Sequence, residues 1–250
     1  MILLLNAALR RGVGQRYAGG KGNVMDQQSV VAVTNAVKNI DKIHFAALPD
    51  GWPDQIGIAL VDAVYSIQAD YLAKDPTKGV LNRVRAFRSA YPEAANDLER
   101  LCSLGEQAIR EVMGNGKSAG RYKSVCVVEA AENFLALDPP VKNASHLHAL
   151  NPDHKRAYTA VKGLGWVTYE YLTMLLGQPG IKADTMICRF VDTALTEAGL
   201  APVDAHAARR LVEAVQVAAY PHIELHHFDH AIWLHQRAVS SRGDSQQETR

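Results

Sequence analysis

Apolar residues recur at steps of three and four along most of the chain, and no segment alternates convincingly between apolar and polar residues. The first run comprises Ile56, Leu60, Val64, Ile67 and Tyr71, and similar runs begin at Val80, Leu98 and Leu211. This spacing places the apolar side chains on one face of an α-helix. The runs are separated by helix breakers: Asp75-Pro76, Tyr91-Pro92, Gly114-Asn115-Gly116, Asp138-Pro139-Pro140 and Gln178-Pro179-Gly180. The pattern predicts an all-α fold with short connections.

A glycine-containing turn interrupts the helical pattern at Lys162-Gly163-Leu164-Gly165, between the helical stretches 152–161 and 167–176. Two glycines in a turn can take positive φ and expose their amides. Backbone N–H groups at such a turn and at the start of the next helix form an anion site, which suits a DNA phosphate without reading base sequence. The turn alone is equally compatible with a helix C-cap glycine followed by a second glycine needed for packing.

Asp184 follows a short loop, 177–183, and precedes the apolar run Met186, Ile187, Phe190, Val191 and Ala194. This position predicts a helix N-cap, where an aspartate accepts a hydrogen bond from a backbone N–H. Capping is a sufficient reason for an aspartate here. It is also compatible with catalysis, because a helix N-terminus favours the ionised carboxylate that could stabilise a positively charged sugar carbon.

The order of helix, GxG turn, helix, short loop and Ala183-Asp184-Thr185 resembles the helix-hairpin-helix base-excision DNA glycosylases, the superfamily of endonuclease III and adenine glycosylase. The resemblance is strongest over residues 157–191. It implies two helical subdomains with a DNA-binding cleft between them. A six-helix bundle with the hairpin would occupy 50–178, and residues 1–49 plus 179–250 would form the second subdomain. The polar tail, 240–250, is predicted to be disordered.

The resemblance implies a role for each matching residue. Asp184 would be the catalytic carboxylate. Tyr65-Ser66-Ile67-Gln68-Ala69 looks like the family's segment with an intercalating glutamine, which would make Gln68 the side chain that fills the space left by an extruded base. A surface glutamine at a helix end is the alternative. The DNA-binding residues would be Lys162, Gly163, Leu164, Gly165, Trp166, Val167, Thr168 and Gln68. Tyr65, Trp166 and Tyr169 are candidates for the base pocket, although aromatic residues at such positions are usually core.

One departure from the family changes the expected chemistry. Members with lyase activity have a nucleophilic lysine two residues after the second turn glycine, and Val167 occupies that position here. Valine cannot form a Schiff base, so the sequence predicts a glycosylase without lyase activity unless Lys155 or Lys182 reaches the sugar. Lys162 also stands where the family often has proline, and Tyr169 where it often has alanine.

Composition and charge restrict the partners. The 250 residues are 48% hydrophobic and 21% charged, and their formal net charge is +1. Such a balance argues against a generally basic nucleic-acid coat, so DNA binding would require local positive charge. Three groups could supply this charge: Lys155, Arg156 and Lys162; Lys117, Arg121 and Lys123; and Arg10, Arg11, Arg16 and Lys21. For each group, the alternative is that the residues lie on a solvated helix face. A glycine-rich basic segment, 12–23, could be a loop or an arm toward DNA.

Metal, cofactor and membrane association are not predicted. The three cysteines, Cys102, Cys126 and Cys188, have no CxxC spacing, and none follows Cys188 to hold the iron-sulfur cluster of some family members. His222, His226 and His230 fall on one helix face that zinc could use, but only Glu224 and Asp229 are near enough in sequence to complete such a site. The chain shows no signal peptide and no stretch able to span a bilayer. We expect a cytoplasmic, nucleoid-associated monomer without a cofactor.

These observations predict a monofunctional DNA glycosylase that acts on double-stranded DNA and leaves an abasic site. A catalytically inactive helix-hairpin-helix protein that binds bent or damaged duplex is a second hypothesis. A third is a helical protein unrelated to DNA, in which the glycines and Asp184 only cap helices. The sequence does not identify the base.

Overall fold

The structure is a computed structural model that describes residues 26–46 and 51–247. Over these ranges it is mostly helical, with eleven α-helices and one two-stranded ribbon, which confirms the predicted all-α class. The segment 12–23, suggested as a possible arm toward DNA, lies outside the described residues. The helices are α1 (Gln27–Lys38), α2 (Lys42–Ala46), α3 (Ile56–Tyr65), α4 (Val80–Ala90), α5 (Leu98–Met113), α6 (Lys123–Leu135), α7 (Pro152–Thr159), α8 (Trp166–Leu175), α9 (Thr185–Glu197), α10 (Ala205–Ala219) and α11 (Leu225–Gln247).

The chain divides into two compact units. One comprises Asp50–Gly180, and the other comprises the described residues of Met1–Pro49 and Ile181–Arg250. Each unit has its own hydrophobic core.

Helix α3 is the centre of the 50–180 unit. All ten of its residues are buried, and it packs against α4, α5, α6 and α8. A helix that is apolar on every side is stable only when other elements surround it. Its single charged residue, Asp62, is fully buried and accepts hydrogen bonds from Trp52 Nε1 at 2.7 Å and from the Tyr71 hydroxyl at 2.9 Å. Asp62 thereby links α3 to the segments before and after it.

The two-stranded ribbon was not predicted. Lys117–Ser118 (β1) pairs with Arg121–Tyr122 (β2) in antiparallel register. Ala119 and Gly120 connect the strands with φ of +49° and +81°. Consecutive positive φ values are typical of two-residue hairpin turns. Strands of two residues are too short to produce a pattern of alternation, which explains why the sequence did not reveal them.

The second unit is built from α1, α2 and α9 to α11. Helix α9 contacts α1, α10 and α11, so a helix from the first fifty residues packs with helices from the end of the chain. The shared core includes Val33, Ile187, Val191, Val212 and Phe228. The tail predicted to be disordered, 240–250, overlaps the end of α11, which continues to Gln247, and 248–250 lie outside the described residues.

Candidate functional site

The glycine-containing turn joins α7 to α8 over residues 160–165. Val161 and Leu164 are buried, and the Leu164 N–H donates to the Val161 carbonyl at 3.0 Å. Gly163 has φ of +98°, whereas Gly165 is extended with φ of −126°. The expectation that both glycines could take positive φ therefore holds only for Gly163, because Gly165 instead takes the extended conformation of a helix N-cap residue.

Gly163 is also required by a close contact with the ribbon. A Cβ at this position would lie 3.0 Å from Ser118 Oγ and 3.1 Å from the Ser118 carbonyl oxygen. Ser118 Oγ donates to the Gly163 carbonyl at 2.8 Å. The turn and the ribbon therefore pack as one local structure.

The backbone amides available to a phosphate are those of the first turn of α8. The Gly165 N–H donates to Thr168 Oγ1 at 3.1 Å, and the Leu164 N–H is bound within the turn. The N–H groups of Val167 and Thr168 precede the first intrahelical hydrogen bonds and have no acceptor inside the helix. Lys162 is exposed on the turn beside them. These groups form the candidate phosphate site.

Lys155 on α7 and Trp166 on α8 lie close together. Lys155 Nζ is 5.7 Å from the centre of the Trp166 ring and 4.0 Å from Glu170 Oε1. Lys155 therefore lies between an aromatic face and a carboxylate.

Tyr65 and Tyr169 are core residues of the 50–180 unit. The Tyr65 hydroxyl donates to the Gly114 carbonyl at 3.3 Å, and the Tyr169 hydroxyl donates to the His148 carbonyl at 3.1 Å. Burial raises the pKa of Tyr65 to about 12 and raises the pKa of Tyr169 as well. Both phenols are thus neutral and hydrogen-bonded. A role for them or for Trp166 in a base pocket stays a prediction.

Gln68 lies beyond the end of α3, in an exposed turn with φ of +47°. The apolar spacing in the sequence continues to Tyr71, but the helix ends at Tyr65. A left-handed conformation costs a non-glycine residue about 1–2 kcal/mol. The surrounding structure must compensate for that cost, and functional residues are often held in this way.

Lys123 binds the backbone that leads into the Gln68 turn. Its side chain is buried, and its Nζ donates to the carbonyls of Tyr65 at 3.0 Å and Ile67 at 2.5 Å. Burial lowers the pKa of Lys123. Within the basic group of Lys117, Arg121 and Lys123, the Lys123 ammonium therefore points into the protein and Arg121 forms an ion pair with Glu129, whereas Lys117 is exposed. A role of this group in DNA binding stays a prediction.

Asp184 is the N-cap of α9, as predicted. Its Oδ1 accepts from the Met186 N–H at 2.9 Å and from the Ile187 N–H at 3.3 Å. Its Oδ2 lies 3.7 Å from Lys182 Nζ, and the Asp184 side chain is 22% exposed. One carboxylate oxygen is thus fixed by the helix, and the group is still partly accessible to solvent.

Asp229 was not predicted as part of this arrangement. It lies on α11, is buried, and its Oδ1 accepts the Lys182 N–H at 3.0 Å. Burial, with a further contribution from Asp184, raises the pKa of Asp229 well above its ordinary value. The sequence did contain a signal for this residue. Asp229 lies among the apolar residues Leu225, Phe228 and Ile232, and an acid that is buried with such residues needs a specific hydrogen-bond partner.

The histidines of α11 pack against other rings. His226 and His227 are 4.3 Å apart at their centroids, His230 stacks on Trp233 at 6.0 Å, and His235 contacts Phe190 at 6.0 Å. In the part of the chain that the structure describes, no three His, Cys, Asp or Glu residues are arranged to hold a metal ion.

The candidate residues are divided between the two units. The glycine-containing turn and Gln68 belong to the 50–180 unit, and Asp184 and Asp229 belong to the other.

Comparison with known families identifies a match over most of the chain. Residues 30–237 match the family described as "Domain of unknown function (DUF8548)". The chain belongs to this family. No curated protein matches it. None of the helices in the described ranges is long and apolar enough to cross a lipid bilayer.

Proposed function

We propose that this member of the DUF8548 family is a monofunctional DNA glycosylase that removes a damaged or modified base from double-stranded DNA. The observation that carries the proposal is the arrangement around Asp184: a partly exposed carboxylate at a helix N-terminus, in a chain whose preceding helix pair contains a glycine turn. Hydrolysis of a glycosidic bond needs such a fixed negative charge near the sugar carbon.

The hairpin would supply DNA affinity. Its first-turn amides at Val167 and Thr168 are suited to a phosphate, and exposed Lys162 adds positive charge beside them. A net charge of only +1 makes local groups of this kind necessary. Such contacts carry no sequence information, which fits a protein that searches duplex DNA for a lesion.

Asp184 would supply the chemistry. The target nucleotide is rotated out of the duplex, and the bond between base and sugar C1′ breaks toward an oxocarbenium-like state with the electron pair leaving on the base. Asp184 stabilises the positive charge and orients a water molecule that attacks C1′. The water gives up a proton to Asp184 as it attacks, the leaving base takes up a proton from solvent, and Asp184 returns its proton to solvent, so that an abasic site and the free base remain.

We attribute the proposed absence of lyase activity to the residue at position 167. Val167 stands where the lyase-active helix-hairpin-helix glycosylases that the sequence resembles have a nucleophilic lysine, and valine cannot form a Schiff base. Lys155 is 4.0 Å from Glu170, and Lys182 is 3.7 Å from Asp184. Each of these lysines already has a carboxylate partner, which it would have to leave in order to reach the sugar.

The experiment uses duplexes that each contain one oxidised, alkylated or deaminated base. The protein is added, and alkali then reveals abasic sites as strand breaks. We expect the wild-type protein to release one class of base and Asp184→Asn to release none while it binds DNA as before. Strand breaks without alkali would contradict the absence of lyase activity.

A matched control separates catalysis from capping. Asp204 is the exposed N-cap of α10 and accepts the Ala207 N–H at 2.7 Å. Asp204→Asn changes the same charge at a similar position and should retain base release. Equal base release by Asp184→Asn and the wild-type protein would remove Asp184 from the mechanism.

One observation favours the second candidate, a DNA-binding protein without catalysis. Both oxygens of Asp184 already have partners, Oδ1 in the cap and Oδ2 beside Lys182, so a structural role alone accounts for this residue. Binding of duplex DNA without release of any base in the panel would select this candidate.

A further inference from the structure

Lys123, at the start of α6, is a buried charged residue of the 50–180 unit. Only 4% of Lys123 is exposed. Removing an ammonium group from water is unfavourable unless hydrogen bonds replace its hydration. The Lys123 ammonium is bound by two backbone carbonyls, those of Tyr65 and Ile67, and it lies 5.9 Å from the centre of the Tyr65 ring.

Both carbonyls belong to the segment that leads into Gln68. The Ile67 carbonyl is part of the peptide group that joins Ile67 to Gln68, so binding its oxygen fixes the plane from which the Gln68 side chain projects. On the other side of the turn, the Tyr71 hydroxyl is bound to buried Asp62 at 2.9 Å. An exposed glutamine with positive φ is therefore held from both sides by buried groups.

The same lysine is connected to the phosphate-binding turn. The Lys123 N–H donates to the Gly116 carbonyl at 2.9 Å, so the ribbon that runs from 117 to 122 begins and ends beside it. Within the ribbon, Ser118 Oγ donates to the Gly163 carbonyl at 2.8 Å. One short ribbon thus connects the hairpin turn to the lysine that fixes the Gln68 turn.

We propose that Lys123 is a positioning residue for DNA distortion: it holds the Gln68 side chain in the orientation that fills the space left by an extruded base. The inference rests on the proposed function, because it takes extruded-base DNA as the ligand. It assigns Lys123 no contact with DNA.

The test measures the affinity for two duplexes of the same sequence, one intact and one with a tetrahydrofuran abasic-site analogue. The analogue provides the empty space without requiring catalysis or knowledge of the base. The wild-type protein should prefer the abasic duplex. Gln68→Ala should reduce that preference about tenfold, the scale expected for loss of one well-placed contact. Lys123→Met should reduce it similarly and retain the affinity for intact duplex, which depends on the hairpin.

Two comparisons make the positioning role specific. Lys78→Met removes the same charge from a side chain that is 73% exposed and should leave the preference unchanged. The double variant Gln68→Ala/Lys123→Met should show no further loss beyond Gln68→Ala, because both changes remove the same interaction. A merely structural effect of Lys123 would weaken binding of both duplexes.

Circular dichroism checks whether Lys123→Met folds. If it does not fold, a second variant replaces it. A Cβ on Gly116 would lie 3.2 Å from Lys123 Cδ, so Gly116→Ala should shift the lysine side chain by a few tenths of an ångström without removing its charge. It should lower the preference partially. The inference is overturned if Gln68→Ala loses the preference and a folded Lys123→Met or Gly116→Ala keeps it. If the wild-type protein binds neither duplex at low salt, the proposed function itself fails; if it prefers the abasic duplex but releases no base, only the catalytic proposal fails.

Discussion

The backbone N–H of Lys182 donates a hydrogen bond of 3.0 Å to Oδ1 of Asp229, a buried residue 47 positions later in the chain. The side chain of Lys182 lies 3.7 Å from Oδ2 of Asp184. Lys182 therefore connects a buried acid to the carboxylate that we propose as catalytic. The loop before α9 is fixed by α11 as well as by the cap itself, so Asp229 helps to determine where Asp184 lies.

The buried acid predicts a pH dependence of stability. The pKa of Asp229 is raised above the ordinary value of 3.8, so the folded protein favours its protonated form. The contribution of this group to stability is complete below 3.8 and is lost as the pH rises through the raised pKa. Asn at this position is uncharged, and its Oδ1 can accept the same Lys182 N–H. We expect Asp229→Asn to gain stability relative to the wild-type protein as the pH increases.

The measurement is urea unfolding of both proteins between about pH 4 and pH 8. The difference in the free energy of unfolding should widen toward high pH. Asp204→Asn, at an exposed cap, is the control for the loss of one carboxyl group. Parallel profiles for wild-type protein and Asp229→Asn would show that burial of Asp229 does not perturb its titration.

A second prediction separates the two roles of Asp184. Its Oδ1 accepts two N–H groups of α9, and the Oδ1 of asparagine can accept the same bonds. Asp184→Asn should therefore keep most of the stability, whereas Asp184→Ala should lose about 1 kcal/mol, the usual cost of removing an N-cap. Thermal unfolding monitored by circular dichroism checks both variants. If Asn and Ala are equally destabilising, the ion pair with Lys182 outweighs the cap.

The sequence predicted the features whose partners are close along the chain. The cap at Asp184 binds amides two and three residues away, and the glycine turn closes within four residues. Local groups of this kind leave a recognisable residue pattern. The helical class followed for the same reason, because each helix shows its own apolar spacing.

The features that the sequence did not reveal depend on distant partners. Lys123 binds a carbonyl 56 residues earlier, and Asp229 binds an amide 47 residues earlier. From the sequence alone, Lys123 therefore looked like a solvated basic residue, and Asp229 looked like one ligand of an incomplete zinc site. The end of α3 could not be predicted either, because Ile67 and Tyr71 continue the helical spacing although they lie in the following loop.

A third prediction contrasts the two glycines of the turn. Gly163 has φ of +98°, and a Cβ there would lie 3.1 Å from the Ser118 carbonyl oxygen. Gly163→Ala should destabilise the protein by about 1–3 kcal/mol and weaken binding to intact duplex. Gly165 is extended and has nothing within 4 Å of the Cβ position, so Gly165→Ala should be less destabilising than Gly163→Ala and should show only the cost of alanine at an N-cap. Urea unfolding and duplex titration of both variants test this contrast, which would disappear if the turn can adopt a negative φ at Gly163.

A fourth prediction concerns the cost of presenting Gln68. Its φ of +47° is unfavourable for any residue with a Cβ, and glycine accepts it without that cost. Gln68→Gly should therefore raise the free energy of unfolding by about 0.5–1 kcal/mol, the part of the left-handed penalty that remains after the greater entropy loss of glycine. The same variant should lose the preference for the abasic duplex, because it has no side chain to insert.

Ala69→Gly, at the adjacent exposed position, serves as the control for added backbone freedom and should not be stabilising. A gain in stability together with a loss of DNA discrimination would mean that the strain at Gln68 is maintained for binding. Unchanged or lower stability of Gln68→Gly would mean that the turn imposes no strain on this residue.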